Sequence, residues 1–216
     1  RDTDRSRGLG DVYKRQQKNR AVLDIIVDMF PVSAKVGALA LAWAILVGVP
    51  LGCLAAFKRG KLTDSILRVI CTLGISMPSF VVASVLLVTL TGNNALNLFP
   101  SIFDPSQGWR AYVLPCFALG FYPMCYTARQ TRSAMLDSLS QEYIKTARAK
   151  GLKNKKIIFK HALRNALIPV ITYLGPQVAF TLCGGFVVES VFSIPGLGRY
   201  FVQSIQNRDY PVTVSY

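Results

Sequence analysis

Acidic side chains are scarce in this chain, and histidine is nearly absent. Eleven Asp and Glu stand against twenty-five Lys and Arg, and His161 is the single histidine. One imidazole cannot build a His-based metal cluster or a Ser–His–Asp constellation with partners to spare. Its place in the stretch HALRN suits a structural or docking role. Cys53, Cys71, Cys116, Cys125 and Cys183 show no CxxC spacing and lie in apolar stretches. They are expected to be small packing residues without a disulfide framework. No GxxxxGK[ST] run occurs, so the chain lacks a phosphate-cradling loop of its own. Catalytic, cofactor-binding and metal-ligating residues are therefore not expected, and any ATP must be bound and hydrolysed by another polypeptide.

Charge of either sign is missing from four long windows: Val36 to Phe57, Val69 to Leu90, Ala111 to Ala128 and Asn165 to Val188. A helix needs roughly 20 residues to cross about 30 Å of hydrocarbon, and each window comes close to that. A soluble helix normally keeps one solvated face. The net charge of +14 would suggest a nucleic-acid partner if it were spread evenly. It is instead segregated from the windows, which argues for a membrane and against nucleic acid. Without water only helices and closed barrels pair every backbone group, and the windows lack barrel-like alternation. The expected fold is all-α, a polytopic transmembrane helical bundle with about four complete spans and a truncated fifth. Gly48 and Gly52 form a small-xxx-small pair that would admit a neighbouring helix, or simply reflect ordinary glycine content. Pro78, Pro115, Pro123, Pro169 and Pro176 are tolerable as kinks or span entrances.

Basic residues set the expected orientation. Lys58, Arg59, Lys61 and Arg68 follow the first window. Arg129, Arg132, Lys145, Arg148, Lys150, Lys153, Lys155, Lys156, Lys160 and Arg164 follow the third. The opposite side holds only Lys35, Arg110, Arg199 and Arg208. Both basic links should face the cytoplasm, with 91–110 and 189–211 outside. The ends fit less well. Residues 1–20 carry seven Lys or Arg against three Asp, on the side that this rule keeps poor in positive charge. They have no apolar core and are expected to be non-native or disordered, leaving 21–216 as the membrane domain. The stretch AVLDIIVDMFP reads as a short interfacial helix feeding the first span. RDYPVTVSY reads as the start of a helix that is cut short.

The segment QEYIKTARAKGLKNKKIIFKHALRNALIP, 141–169, holds eight Lys or Arg between Lys145 and Arg164, with no acid among those positions. Met135 to Ala149 lacks Gly and Pro and should be helical, with Gly151 as a left-handed terminus and a second helical run over Lys155–Asn165. The small Ala147 and Ala149 would let another protein's backbone come close. Three explanations fit this composition: charge that only orients the chain, attraction to anionic lipid headgroups, or docking of a cytosolic partner.

The residue pattern adds to that reading. EYIKTARAKGL followed by HALRNALIP resembles the signature loop of binding-protein-dependent permeases of ABC importers, in the dipeptide and oligopeptide branch that also includes nickel and glutathione systems. LGISMPSF at 73–80, ARQTRSAMLDSL at 128–139 and VVESVFSIPGLGRYFVQSIQNRDYPV at 187–212 resemble the same family in order, covering about 21–216. The resemblance implies a multi-pass permease subunit of a prokaryotic inner membrane. It would pair with a related permease, two ABC ATPase subunits and an extracytoplasmic solute-binding protein, and move peptides, nickel chelates or glutathione by alternating access. Thr146, Ala147, Arg148, Ala149, Lys150 and Gly151 would form the helix that couples to the ATPase, led in by Glu142 and Tyr143. The general family motif opens Glu–Ala–Ala where this chain has Lys145, Thr146 and Ala147. The family's first span and most of its last are expected to be missing. Glu189, Pro195, Gly196 and Gly198 would shape the outer mouth and meet the binding protein. From its residue type alone, Glu189 reads either as a pathway acid or as an interfacial cap or subunit contact. The rival reading is a membrane scaffold or anchor whose basic loop only touches lipid.

Overall fold

The computed structural model describes residues 22–91 and 98–206. The expectations for 1–20 and for a helix beginning near the carboxyl end lie outside the described residues. Among the described residues every regular element is helical.

Helix α1, Val22–Phe57, passes through Pro31 and Pro50 without ending. The expected interfacial helix is therefore not separate but the first turns of α1. A proline costs a helix one hydrogen bond, and packing on a long neighbour can absorb that. The second charge-free window differs more. It divides into α2, Leu62–Ser76, and α3, Ser79–Leu90, bent by 105°. Met77 is extended, with φ −86° and ψ 124°, because a residue before proline is driven out of the helical region. Val69 to Leu90 is thus not one straight span.

Helix α4, Arg110–Ser140, is the axis of the bundle. It contacts α1, α2, α3 and the later α7 and α8. Helix α5, Glu142–Ala149, follows after one extended residue, Gln141. The expected helix over Met135 to Ala149 is broken there. α6, Asn154–Lys156, leads through a π-helical segment, Ile157–Ala162, into α7, Leu163–Gly184. α8, Phe186–Val191, and α9, Leu197–Gln206, complete the described chain.

α1 and α4 run parallel in close contact. A Cβ on Gly120 would meet the Ala40 carbonyl oxygen at 2.6 Å, and one on Gly48 would meet the Met124 carbonyl oxygen at 2.8 Å. A Cβ on Gly52 would overlap the Ala128 carbonyl oxygen and lie 2.6 Å from the Thr131 Cβ. The small-xxx-small pair is therefore a packing seam in which backbone touches backbone. Three core clusters stack along it. One joins Val36, Leu114, Val188 and Phe192, the middle one holds Ala44, Cys71 and Cys125, and the last holds Cys53, Met135, Ile144 and Ala162. The four cysteines with described side chains are buried and free, as expected of packing residues.

Among the described residues one helix stretch, Ile26–Phe57, is long and apolar enough to cross a membrane, and the bent α2–α3 pair is a second if taken as one broken span. Only 39% of the apolar window in α1 is buried, whereas the core helix of a soluble protein is mostly buried. Leu46, Val88, Ile171 and Phe180 are each more than 60% exposed, a large outward apolar surface that calls for lipid or another subunit.

Candidate coupling and outer-mouth sites

The parallel pair gathers the basic links at one end. Asp64, at the start of α2, meets Arg132 near the end of α4, and α5 lies under the junction of α4 and α7. The opposite end carries the 99–109 connection and α8, joined where the Phe103 N–H donates to the Phe192 carbonyl at 3.0 Å.

α5 is anchored by its inner face. Ile144 is fully buried and Ala147 is 6% exposed, both in the cluster with Met135, Ile157 and Ala162. Ala147 thus serves this chain's own core, and the expectation that it makes room for another protein is corrected. An apolar pair at i, i+3 shares one helix face, so the break at Gln141 is what lets this face turn onto α4. The outward residues are Glu142, Tyr143, Thr146, Arg148, Ala149 and Lys150. Glu142 pairs with Lys145 at 2.7 Å on the surface, an ion pair worth little to stability. The Tyr143 hydroxyl meets the Ser138 hydroxyl, which itself donates to the Ala162 carbonyl at 3.0 Å. Ser138 therefore holds α5 to both flanking helices.

Gly151 ends the helix as expected, with φ +73°. The Gly151 N–H donates to the Arg148 carbonyl and the Leu152 N–H to the Ala147 carbonyl, the paired bonds of a Schellman terminus, with Leu152 folded against the same core. Beyond it Lys153, Lys156, Lys160 and Arg164 are exposed. His161 is half-buried at the close of the π segment. Phe159, in that segment, is 63% exposed among these cations. Sequence reasoning missed it, although an aromatic inside a basic run was a readable signal.

Asp64 stabilises the same end. It is 1% exposed and receives two Arg132 bonds, from Nε at 2.6 Å and Nη2 at 2.8 Å, plus the Gly60 N–H at 3.1 Å. The Arg132 hydrogen bond outweighs burial and holds the Asp64 carboxyl down to about 2, while the Arg132 guanidinium is pushed up.

At the far end the expected outer-mouth residues do come together. Glu189 is 4% exposed, and its Oε2 accepts the Gly198 N–H at 2.8 Å and the Arg199 N–H at 3.2 Å. The Leu197 N–H donates to Ser33 Oγ of α1 at 2.8 Å. The first orphan N–H groups of α9 are thus capped, and the carboxylate lies against the positive end of the helix. A Cβ on Gly196 would sit 2.5 Å from the Glu189 carboxylate, and one on Gly198 would overlap the Phe186 backbone. Pro195 is exposed beside them. Ser33 gave no sequence signal for this role.

Between the two ends, α4 and α7 meet through polar and aromatic side chains. Tyr126 stacks on Tyr173 at 4.0 Å. The Tyr173 hydroxyl donates to Gln177 Oε1 at 2.8 Å, and Gln177 Nε2 donates to Thr181 Oγ1 at 3.3 Å. Tyr122, Gln177 and Thr181 face a cavity of about 470 Å³ beside the Met77–Pro78 bend. The i, i+4, i+8 spacing of Tyr173, Gln177 and Thr181 was visible in the sequence and had not been singled out.

Residues 48–216 match the family described as binding-protein-dependent transport system inner membrane component. The chain belongs to that family. Its relatives include the dipeptide transport system permease protein of Bacillus subtilis (strain 168), 47% identical over 195 residues, covering 89% of this chain and 61% of that protein. The oligopeptide transport system permease protein of Salmonella typhimurium (strain LT2) is 38% identical over 203 residues, covering 92% and 64%. The glutathione transport system permease protein of Escherichia coli (strain K12) is 37% identical over 203 residues, covering 94% and 65%. The chain thus spans just over three fifths of the length of these family members. Its fold also resembles a solved structure described as the crystal structure of an amino acid ABC transporter with histidines. That match has a TM-score of 0.66 and 17% identity, and covers 89% of this chain and 84% of the other.

Proposed function

We propose that the chain is the pathway-forming permease subunit of an ABC importer for peptides or glutathione, with ATP bound and hydrolysed by separate subunits. The carrying observation is α5. This short helix is fastened to α4 and α7 through Ile144, Ala147 and Ser138, and carries exposed Arg148 and Lys150 at the end where the basic links collect. A docked ATPase moving α5 would move both long helices with it. The positive-inside rule puts that end in the cytoplasm. α1, the bent α2–α3 pair, α4 and α7 then act as the spans of a multi-pass inner-membrane protein. A second related permease completes the pathway, and an external solute-binding protein delivers cargo near Glu189 and Pro195. The Tyr126–Tyr173–Gln177–Thr181 seam lines the route, and no cofactor is required on this chain.

The test is ATP-dependent uptake of a labelled dipeptide by cells carrying the full-length gene with its neighbouring subunits. Ala149→Trp adds bulk to the exposed face of α5 without altering charge. Loss of uptake and of ATPase co-purification, with the permease still in the membrane, supports a docking role. Uptake equal to wild type would remove α5 as the coupling element. Lipid attraction alone would leave both readouts unchanged in this variant.

A further inference from the structure

A cavity of about 260 Å³ lies between α1, α2 and α4, at the end where the basic links collect. Leu51, Ala55 and Leu67 are among its apolar lining residues, and Arg68, Arg129 and Arg132 supply its charge. Two of these three guanidinium groups share one carboxylate. Arg132 takes Asp64 in a two-point bond, while Arg68 stands 3.7 Å from the same carboxylate with a side chain 54% exposed. Arg129 is exposed and lies over the Tyr126 ring at 5.5 Å, with no carboxylate partner among the described residues. The cavity therefore carries a surplus of positive charge against an apolar wall. It also lies where three charge-free windows end, at Phe57, Val69 and Ala128.

We propose that this cavity binds an anionic phospholipid, its headgroup phosphate held by Arg68 and Arg129 and its acyl chain against Leu51, Ala55 and Leu67. The proposal rests on the membrane reading and the orientation given above, and it is distinct from any contact of the 141–169 segment. A free anion would match the arginines but not the apolar wall, and an uncharged lipid would match only the wall. An acidic lipid matches both. Guanidinium forks suit phosphate oxygens, and basic pockets between membrane helices on the cytoplasmic side take acidic headgroups. Bound there, the lipid would link α2 to α4 beside the Asp64–Arg132 pair.

The complete transporter, purified with its partner subunits, is mixed with phosphatidylglycerol and phosphatidylcholine and examined by native mass spectrometry. Release of the subunit from membranes by alkaline carbonate without detergent, scored first, would overturn the membrane reading itself. With that passed, each copy should retain one phosphatidylglycerol, preferred over phosphatidylcholine by roughly thirtyfold, the factor that two basic side chains supply at a membrane surface. Arg68→Gln with Arg129→Gln should abolish the preference while subunit assembly persists. Thr72→Trp, an exposed lining position, should exclude the lipid by bulk at unchanged charge. Equal retention of the two lipids, undiminished phosphatidylglycerol in both variants, or displacement by excess inorganic phosphate would each overturn the proposal. Absence of any bound lipid would overturn it too.

Discussion

Asp64 makes the sharpest demand at the residue scale, because a buried carboxylate survives only with its charge answered. Its carboxyl is held near 2 against an ordinary 3.8, so the pair contributes stability above pH 4 and loses it as pH falls toward 2. Asp64→Asn should flatten that acid limb and cost about 3 kcal/mol at neutral pH, since Arg132 is left unanswered. Thermal unfolding in detergent across the pH range checks both. Thr127 is the opposite case. Its hydroxyl is buried on the α1–α4 seam without a hydrogen-bond partner among the described residues. Thr127→Val should therefore leave the melting temperature unchanged or raise it, as removing an unpaired donor costs nothing. Sequence alone read Gly151 correctly, because a glycine closing a helical run is a local signal. Glu189 was less legible. It drew attention as the acid at the end of a window, but the cap it makes on α9 is completed by Ser33, 164 residues away from Leu197.

Elements were legible where one property dominated. The charge-free windows marked α1 and α4, and the glycine pair marked their seam. The 105° turn between α2 and α3 was missed because hydropathy is blind to direction, although Pro78 was in plain view. The inward face of α5 was also readable as an i, i+3 pair of Ile144 and Ala147. Two substitutions separate the roles of that helix. Ala147→Trp should destabilise the subunit and reduce its amount in the membrane, by overpacking worth about 1–3 kcal/mol or more. Ala149→Trp should leave that amount unchanged and act only on partner assembly. Quantitative blotting of membranes, set beside co-purified ATPase, distinguishes them. At the seam, Gly48→Leu forces a side chain onto the Met124 carbonyl and should prevent stable accumulation altogether.

For the whole molecule, the prediction is one of sidedness. Cysteine placed at Lys150 should react with an impermeant thiol reagent only in inside-out vesicles, and cysteine at Pro195 only in right-side-out ones. The reverse pattern would overturn the orientation. The two long contacts along α4 differ in kind. Against α1, Gly48, Gly52 and Gly120 bring backbone against backbone so closely that an added Cβ would clash. Against α7, the Tyr126 and Tyr173 rings lie face to face at an angle of 23°, and aromatic faces tolerate offset at small cost. A force arriving at the end where the basic links collect thus meets a weld on one side of α4 and a bearing on the other. Slip should concentrate on the tyrosine face, with α1 and α4 travelling together as a single girder.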